Sequence, residues 1–202
     1  HGHSAMPDHA RRYRRAEEFV DVVLRLWNSW SDSALLMDRD GRYADAGQVR
    51  PIRHEGENFL VDGPLTVPRS PQGHPVLFQA GASEYGRDLA ARRAEAIYAV
   101  AYDLPAAQAY YRDIKRRVRA AGRKDPVPVM PGLVTYVAST SAEARAKQRE
   151  LDELLPSDAA LRQLQSYIFQ DCMGWDLDAP VPPLPPLEEF SGPKGRYATI
   201  LR

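Results

Sequence analysis

The chain has 202 residues, 27 Lys+Arg balanced by 27 Asp+Glu, 44% hydrophobic residues and one cysteine. Zero formal net charge argues against a surface built for nucleic acid or anionic lipid, while the apolar fraction is enough for a sizeable core. Cys172 alone excludes an internal disulfide and a thiolate zinc cage; with no apolar run near the ~20 residues of a membrane helix and no signal-peptide pattern, a soluble, cytoplasmic protein without membrane or nucleic-acid partners is expected.

The first periodic segment follows Pro7-Asp8. Asp8 is a helix cap, and Phe19, Val22, Val23, Leu26, Trp27 and Trp30 recur at three- and four-residue intervals, predicting a helix over residues 9–30. Residues 31–73 then break into turn signals: Asp38-Arg39-Asp40-Gly41, Glu55-Gly56-Glu57, Asp62-Gly63-Pro64 and Ser70-Pro71-Gln72-Gly73. Phe59-Leu60-Val61 between them predicts one rung of a short hairpin. So long an excursion within a compact domain is an insertion of functional type.

Pro75-Val76-Leu77-Phe78-Gln79-Ala80-Gly81 is a short apolar run without alternation, as for a strand covered on both faces. Ser83 starts a helix with Leu89, Ala90 and Ala94 on its apolar side, and residues 95–100 are a second strand. Asp103 caps a helix with Pro105 in its first turn and a stripe of Ala107, Tyr110, Tyr111, Ile114, Val118 and Ala121, ending at Gly122. Residues 127–137 predict a third strand. Thr140 and Glu143 have capping-box spacing for a helix to Leu155, and Ser157-Asp158 opens another to about Phe169. Strict alternation of strand and helix means βα units and a parallel sheet. Eight units take ~250 residues, so about three units predict part of a barrel. Beyond Trp175 the proline density of Pro180-Val181-Pro182-Pro183-Leu184-Pro185-Pro186 predicts an extended strap.

Several groups could carry chemistry. Gly81-Ala82-Ser83-Glu84-Tyr85-Gly86 follows a strand and opens a helix. A nucleophile elbow needs glycine where Tyr85 stands, and a dinucleotide fingerprint needs it where Ser83 stands. What remains is a helix N-terminus with free N–H groups, a hydroxyl and Arg87 one turn on, an anion cradle suited to phosphate. The bland alternative is a plain N-cap beside a surface arginine. His9 and Tyr13, four apart, share a helix face and can both donate to a phosphate; a surface His beside a half-buried Tyr is the competing reading. His1 and His3 form an H-x-H, but no further ligands can be placed and no metal is expected. The runs Arg11, Arg12, Arg14, Arg15 and Lys115, Arg116, Arg117, Arg119 are read as solvated helix faces. Cys172 is read as inert.

The strings Arg12-Tyr13-Arg14-Arg15-Ala16-Glu17-Glu18-Phe19-Val20 and Leu26-Trp27-Asn28-Ser29-Trp30 go further. With His54-Glu55-Gly56, Ser70-Pro71-Gln72-Gly73, Gln79-Ala80-Gly81-Ala82-Ser83, Gly86-Arg87 and Trp175-Asp176-Leu177-Asp178 they resemble the bacterial-luciferase-like flavin monooxygenases, in the branch of the nitrilotriacetate, long-chain alkane and dibenzothiophene-sulfone enzymes. The resemblance implies a (β/α)8 TIM barrel with an insertion, and reduced FMN supplied by a separate NAD(P)H:FMN reductase. It implies O2 as oxidant, one oxygen atom passing to a small organic substrate, and a homo-oligomer. It also implies flavin-phosphate contacts by His9, Tyr13 and Ser83; no catalytic residue is assigned. Relatives of this kind are considerably longer. The chain is therefore expected to be the middle portion of a barrel, one incomplete domain over 1–202 with insertion 31–73 and an extended proline-rich segment 175–202. A scaffold remnant or assembly module that does not bind flavin is the alternative from another class.

Overall fold

A computed structural model describes residues 7–101, 103–192 and 194–201. The chain divides into two compact units, residues 1–132 and 133–202.

The first unit opens with α1 (His9–Trp27), capped by Asp8, whose carboxylate accepts from the Arg11 amide at 2.9 Å. The helix stops three residues short of the expected Trp30. Ser29 and Trp30 are buried off the helix, where Ser29 Oγ accepts from Leu65 N at 3.0 Å and the Trp30 indole N–H donates to Leu65 O at 2.8 Å. Those bonds tie the two ends of the insertion together and outweigh one more helical turn. Within the insertion, β1 (His54–Glu55) and β2 (Leu60–Val61) pair antiparallel, with His54 opposite Val61. This is the hairpin whose rung the sequence indicates.

β3 (Phe78–Gln79), β4 (Ala96–Ala99) and β5 (Val129–Pro131) form a parallel sheet in that order, linked through α2 (Glu84–Arg93) and α3 (Leu104–Ala120). The register sets Phe78 against Ala96, Ile97 against Val129 and Tyr98 against Met130. The capping residues are those expected. Ser83 Oγ accepts from Gly86 N, and Asp103 Oδ1 from Ala106 N at 2.7 Å. Successive strand residues face opposite ways, and α2 and α3 cover one side. There Ala90, Ala91, Ala94, Ile97, Ile114, Val118 and Val127 make a closed core. Burying these side chains, at about 25 cal/mol per Å² of apolar surface, holds the layers together. On the opposite side Phe78 is 60% exposed, and Tyr98 and Met130 are also exposed. Within the described residues the strand at 75–81 is covered on one face. In the α3 stripe Ile114 and Val118 are buried, but Tyr111 is exposed.

In the second unit, α4 (Ser141–Glu153) starts with Thr140 Oγ1 accepting from Glu143 N at 3.2 Å, and α5 (Ser157–Ile168) follows. The expected strand over 127–137 ends at Pro131, since its later residues find no ladder partner among the described residues. The proline-rich segment runs without regular structure to Pro186 but does not stay extended to its end. Short helix α6 (Lys194–Ile200) forms beyond Gly192, because Tyr197 there has a core to enter. Ile168, Phe190 and Tyr197 are buried together, with Leu184 and Leu187 packed against them, and the Tyr197 hydroxyl donates to Pro185 O at 2.6 Å.

Candidate functional site

Ser83 stands where the loop after β3 enters α2. Its backbone is extended, the conformation an N-cap requires. The hydroxyl is used twice: it accepts from Gly86 N at 3.2 Å and donates across 70 residues to the Tyr13 hydroxyl on α1, a long contact of 3.5 Å. At this length the contact leaves both hydroxyls with a rotatable hydrogen and free lone pairs. The amides of Glu84 and Tyr85 lie in the first turn, where no intrahelical acceptor exists and the helix dipole is positive. The turn is built by close backbone approach. A Cβ on Gly81 would lie 2.7 Å from Gly86 Cα, and one on Gly86 would lie 2.9 Å from the Tyr13 hydroxyl oxygen. Only glycine lets loop, helix and Tyr13 meet. Beneath, the Tyr110 hydroxyl donates to Gly81 O at 3.0 Å; burial pushes its pKa upward, keeping it a donor at neutral pH.

His9 lies edge-on to Tyr13, with ring centres 4.9 Å apart. His9, Tyr13 and Ser83 are therefore brought to one place, a cluster of donors to which no carboxylate among the described residues is bonded. Arg87 is different. One guanidinium nitrogen is bound to Asp113 and another to Glu84, both at 2.7 Å. Through these two nitrogens it serves the α2–α3 contact, while its Nε is buried without a partner among the described residues. By engaging Arg87 and Arg117, the Glu84 carboxylate is also occupied away from the cradle's donors.

Arg117 corrects an expectation. It is no solvated charge: only 16% of its side chain is exposed, and it binds Glu84, Asp88 and Asp113. Burial alone would raise the Asp113 carboxyl, but the hydrogen bond and charge of Arg117, with Arg87 and Arg116, hold it below the usual range. Cys172 is fully buried with Sγ 3.1 Å from Leu161 O, in keeping with an inert role. His1 and His3 lie outside the described residues, among which no three His, Cys, Asp or Glu side chains cluster as metal ligands.

One polar cluster was not visible in the sequence. Glu18 on α1 accepts from His54 Nε2 at 3.0 Å, from Asn58 N at 2.9 Å, from Asn58 Nδ2 at 2.6 Å and from Phe59 N at 3.0 Å. Arg25 donates to His54 Nδ1 at 3.0 Å, and since arginine cannot accept, the His54 proton sits on Nε2, facing Glu18. The hydrogen bond from His54 is the largest cause lowering the Glu18 carboxyl to about 2; burial opposes it, and the Asn58 and Phe59 donors reinforce it. This clasp fixes the hairpin of the insertion to α1. The only signal was the string His54-Glu55-Gly56, whose acceptor lies 36 residues earlier.

Parallel βα units with hydrogen-bond donors gathered where a strand passes into its helix define an α/β protein of the barrel kind, in which ligand sites form at strand C-terminal ends. Residues 1–173 match the family model described as "Luciferase-like monooxygenase", and the chain belongs to that family. It is 42% identical over 203 residues to nitrilotriacetate monooxygenase component A of Aminobacter aminovorans, covering 99% of this chain and 44% of that protein. Among solved structures it is similar to DmoA from Hyphomicrobium sulfonivorans (TM-score 0.80, 30% identity, 97% of this chain and 41% of that one). It is likewise similar to a riboflavin lyase, RcaE, solved with modified FMN and riboflavin (TM-score 0.79, 33% identity, 92% and 41%). The chain thus spans less than half the length of these relatives. Among the described residues no helix is long and apolar enough to cross a membrane.

Proposed function

We propose that this chain is the flavin-phosphate-holding segment of a two-component monooxygenase that takes reduced FMN from a separate NAD(P)H:FMN reductase and uses O2 to oxygenate a small organic substrate. The observation that carries the reading is the meeting of Ser83 and Tyr13 at the N-terminus of α2, 3.5 Å apart in space and 70 residues apart in sequence.

The donor set fits a phosphomonoester. With the Ser83 hydrogen turned from its long 3.5 Å contact with Tyr13 to the phosphate, two hydroxyls and two first-turn amides offer hydrogens to a dianion, no carboxylate among the described residues is bonded to them, and the helix dipole favours negative charge. In this reading Ser83 and Tyr13 bind the phosphate, His9 closes the outer side, and the Gly81–Gly86 approach brings the α2 amides within reach. When bound, reduced FMN supplies the activation of O2 and the transfer of one oxygen atom; this segment anchors and orients. The relatives support the assignment, one being named a monooxygenase component A and one having been solved with modified FMN.

The test is titration of the intact protein with FMN and with riboflavin, which lacks the phosphate. Ser83→Ala and Tyr13→Phe should each weaken FMN about tenfold, the loss of one hydrogen bond to a charged group, and leave riboflavin nearly unchanged. FMN affinity at the wild-type level in both variants would refute the reading.

A further inference from the structure

We infer that Tyr85 is a positioning residue of the same cradle, holding the Tyr13 and His9 side chains in the orientation that presents their polar atoms to a phosphomonoester. The inference rests on the function proposed above and adds a residue to it.

Three rings form a closed triangle. His9 and Tyr13 are 4.9 Å apart, His9 and Tyr85 5.3 Å, both edge to face, and Tyr13 and Tyr85 stack at 6.0 Å with planes 22° apart. Each ring therefore touches the other two at separations where aromatic pairs attract. The triangle joins two helices: His9 and Tyr13 lie on the first turns of α1, while Tyr85 lies on the first turn of α2, two residues after Ser83. The ion pairs Arg92–Glu17 and Arg93–Asp21 join the same two helices further along; at the donor end the triangle is the side-chain brace, beside the long Ser83–Tyr13 contact. Tyr85 is 46% exposed, so core packing does not account for an aromatic there. Without its ring, the Tyr13 and His9 side chains regain rotamer freedom on the open side, and ordering them again is charged against ligand binding. All three contacts use ring faces and edges, so phenylalanine should serve as well as tyrosine.

The experiment compares Tyr85→Ala, Tyr85→Leu and Tyr85→Phe in the intact protein, titrated with FMN and riboflavin and melted in parallel. Tyr85→Ala and Tyr85→Leu should weaken FMN about tenfold, with riboflavin within about twofold and unfolding close to wild type, and Tyr85→Phe should restore FMN affinity. Wild-type FMN binding by Tyr85→Ala, equal loss of FMN and riboflavin, or failure of Tyr85→Phe to restore affinity would each overturn the inference. Ser83→Ala separates the two levels. If it leaves the FMN-to-riboflavin ratio unchanged, the phosphate cradle itself falls; if it lowers the ratio and Tyr85→Ala does not, only the role of Tyr85 falls.

Discussion

Replacing Gly81 by alanine disturbs the cradle while leaving every polar group of it in place. The new Cβ would stand 2.7 Å from Gly86 Cα and 2.8 Å from the Gly86 carbonyl carbon. Non-bonded carbons settle at about 3.5–4.0 Å, so close to 1 Å of extra separation must be found. Both obstacles are main chain, one side belonging to the loop after β3 and the other to the first turn of α2, and neither can swing aside as a side chain would. Overpacking of this kind costs about 1–3 kcal/mol, and for a chain of 202 residues each kcal/mol lowers the melting temperature by about 2–4 °C. The displacement also reaches function, because the turn that moves carries Ser83 and the α2 amides. Losing good geometry in one charged hydrogen bond weakens ligand about tenfold. The assay is thermal unfolding together with FMN titration, with Gly63→Ala as control, since a Cβ on Gly63 meets nothing within 4 Å. Gly63→Ala should stay within about 0.5 kcal/mol of wild type. A Gly81→Ala protein that melts and binds FMN like the Gly63→Ala protein would refute the close-approach argument.

Three further outcomes follow from the same geometry. The Glu18 carboxyl, about 2 when folded against an ordinary 4.5, is depressed, so its contribution is complete above pH 4.5 and lost as pH falls toward 2. Protection of the Asn58 and Phe59 amides, measured against the intrinsic exchange rate at each pH, should fall over that window, and Glu18→Gln should show reduced protection already at neutral pH. Asp113→Asn removes the anion between Arg87 and Arg117 and should cost about 1–3 kcal/mol. Because the Asp113 carboxyl is held below 3.8, the wild-type advantage over this variant should fade as pH drops below that value, as measured by denaturant unfolding. Tyr197→Phe leaves Pro185 O without its 2.6 Å donor and should cost about 1 kcal/mol; protease nicking of residues 180–186 should rise with it.

The sequence by itself determined α1 to α5 and their starts, but not α6. Asp8, Ser83, Asp103 and Thr140 each cap the helix expected of them, because a cap is a bond between residues two or three apart and needs no tertiary partner. The order of βα units and the turns of the insertion were legible for the same local reason, and the joint appearance of His9, Tyr13 and Ser83 rested on family resemblance. Strand extent was not legible. Runs of 7, 6 and 11 residues shrank to Phe78–Gln79, Ala96–Ala99 and Val129–Pro131, since a ladder reaches only as far as its neighbour. The fates of charged groups were also decided in three dimensions. Arg87 has cradle spacing from Ser83, yet Asp113, 26 residues on, engages it. Glu18 looks like one more polar residue on α1 until the hairpin brings Asn58 and Phe59 onto it. A charge takes the partner that the fold delivers to it in a poorly solvated place, and that delivery is written in the packing of α1, α2, α3 and the insertion rather than in any local pattern.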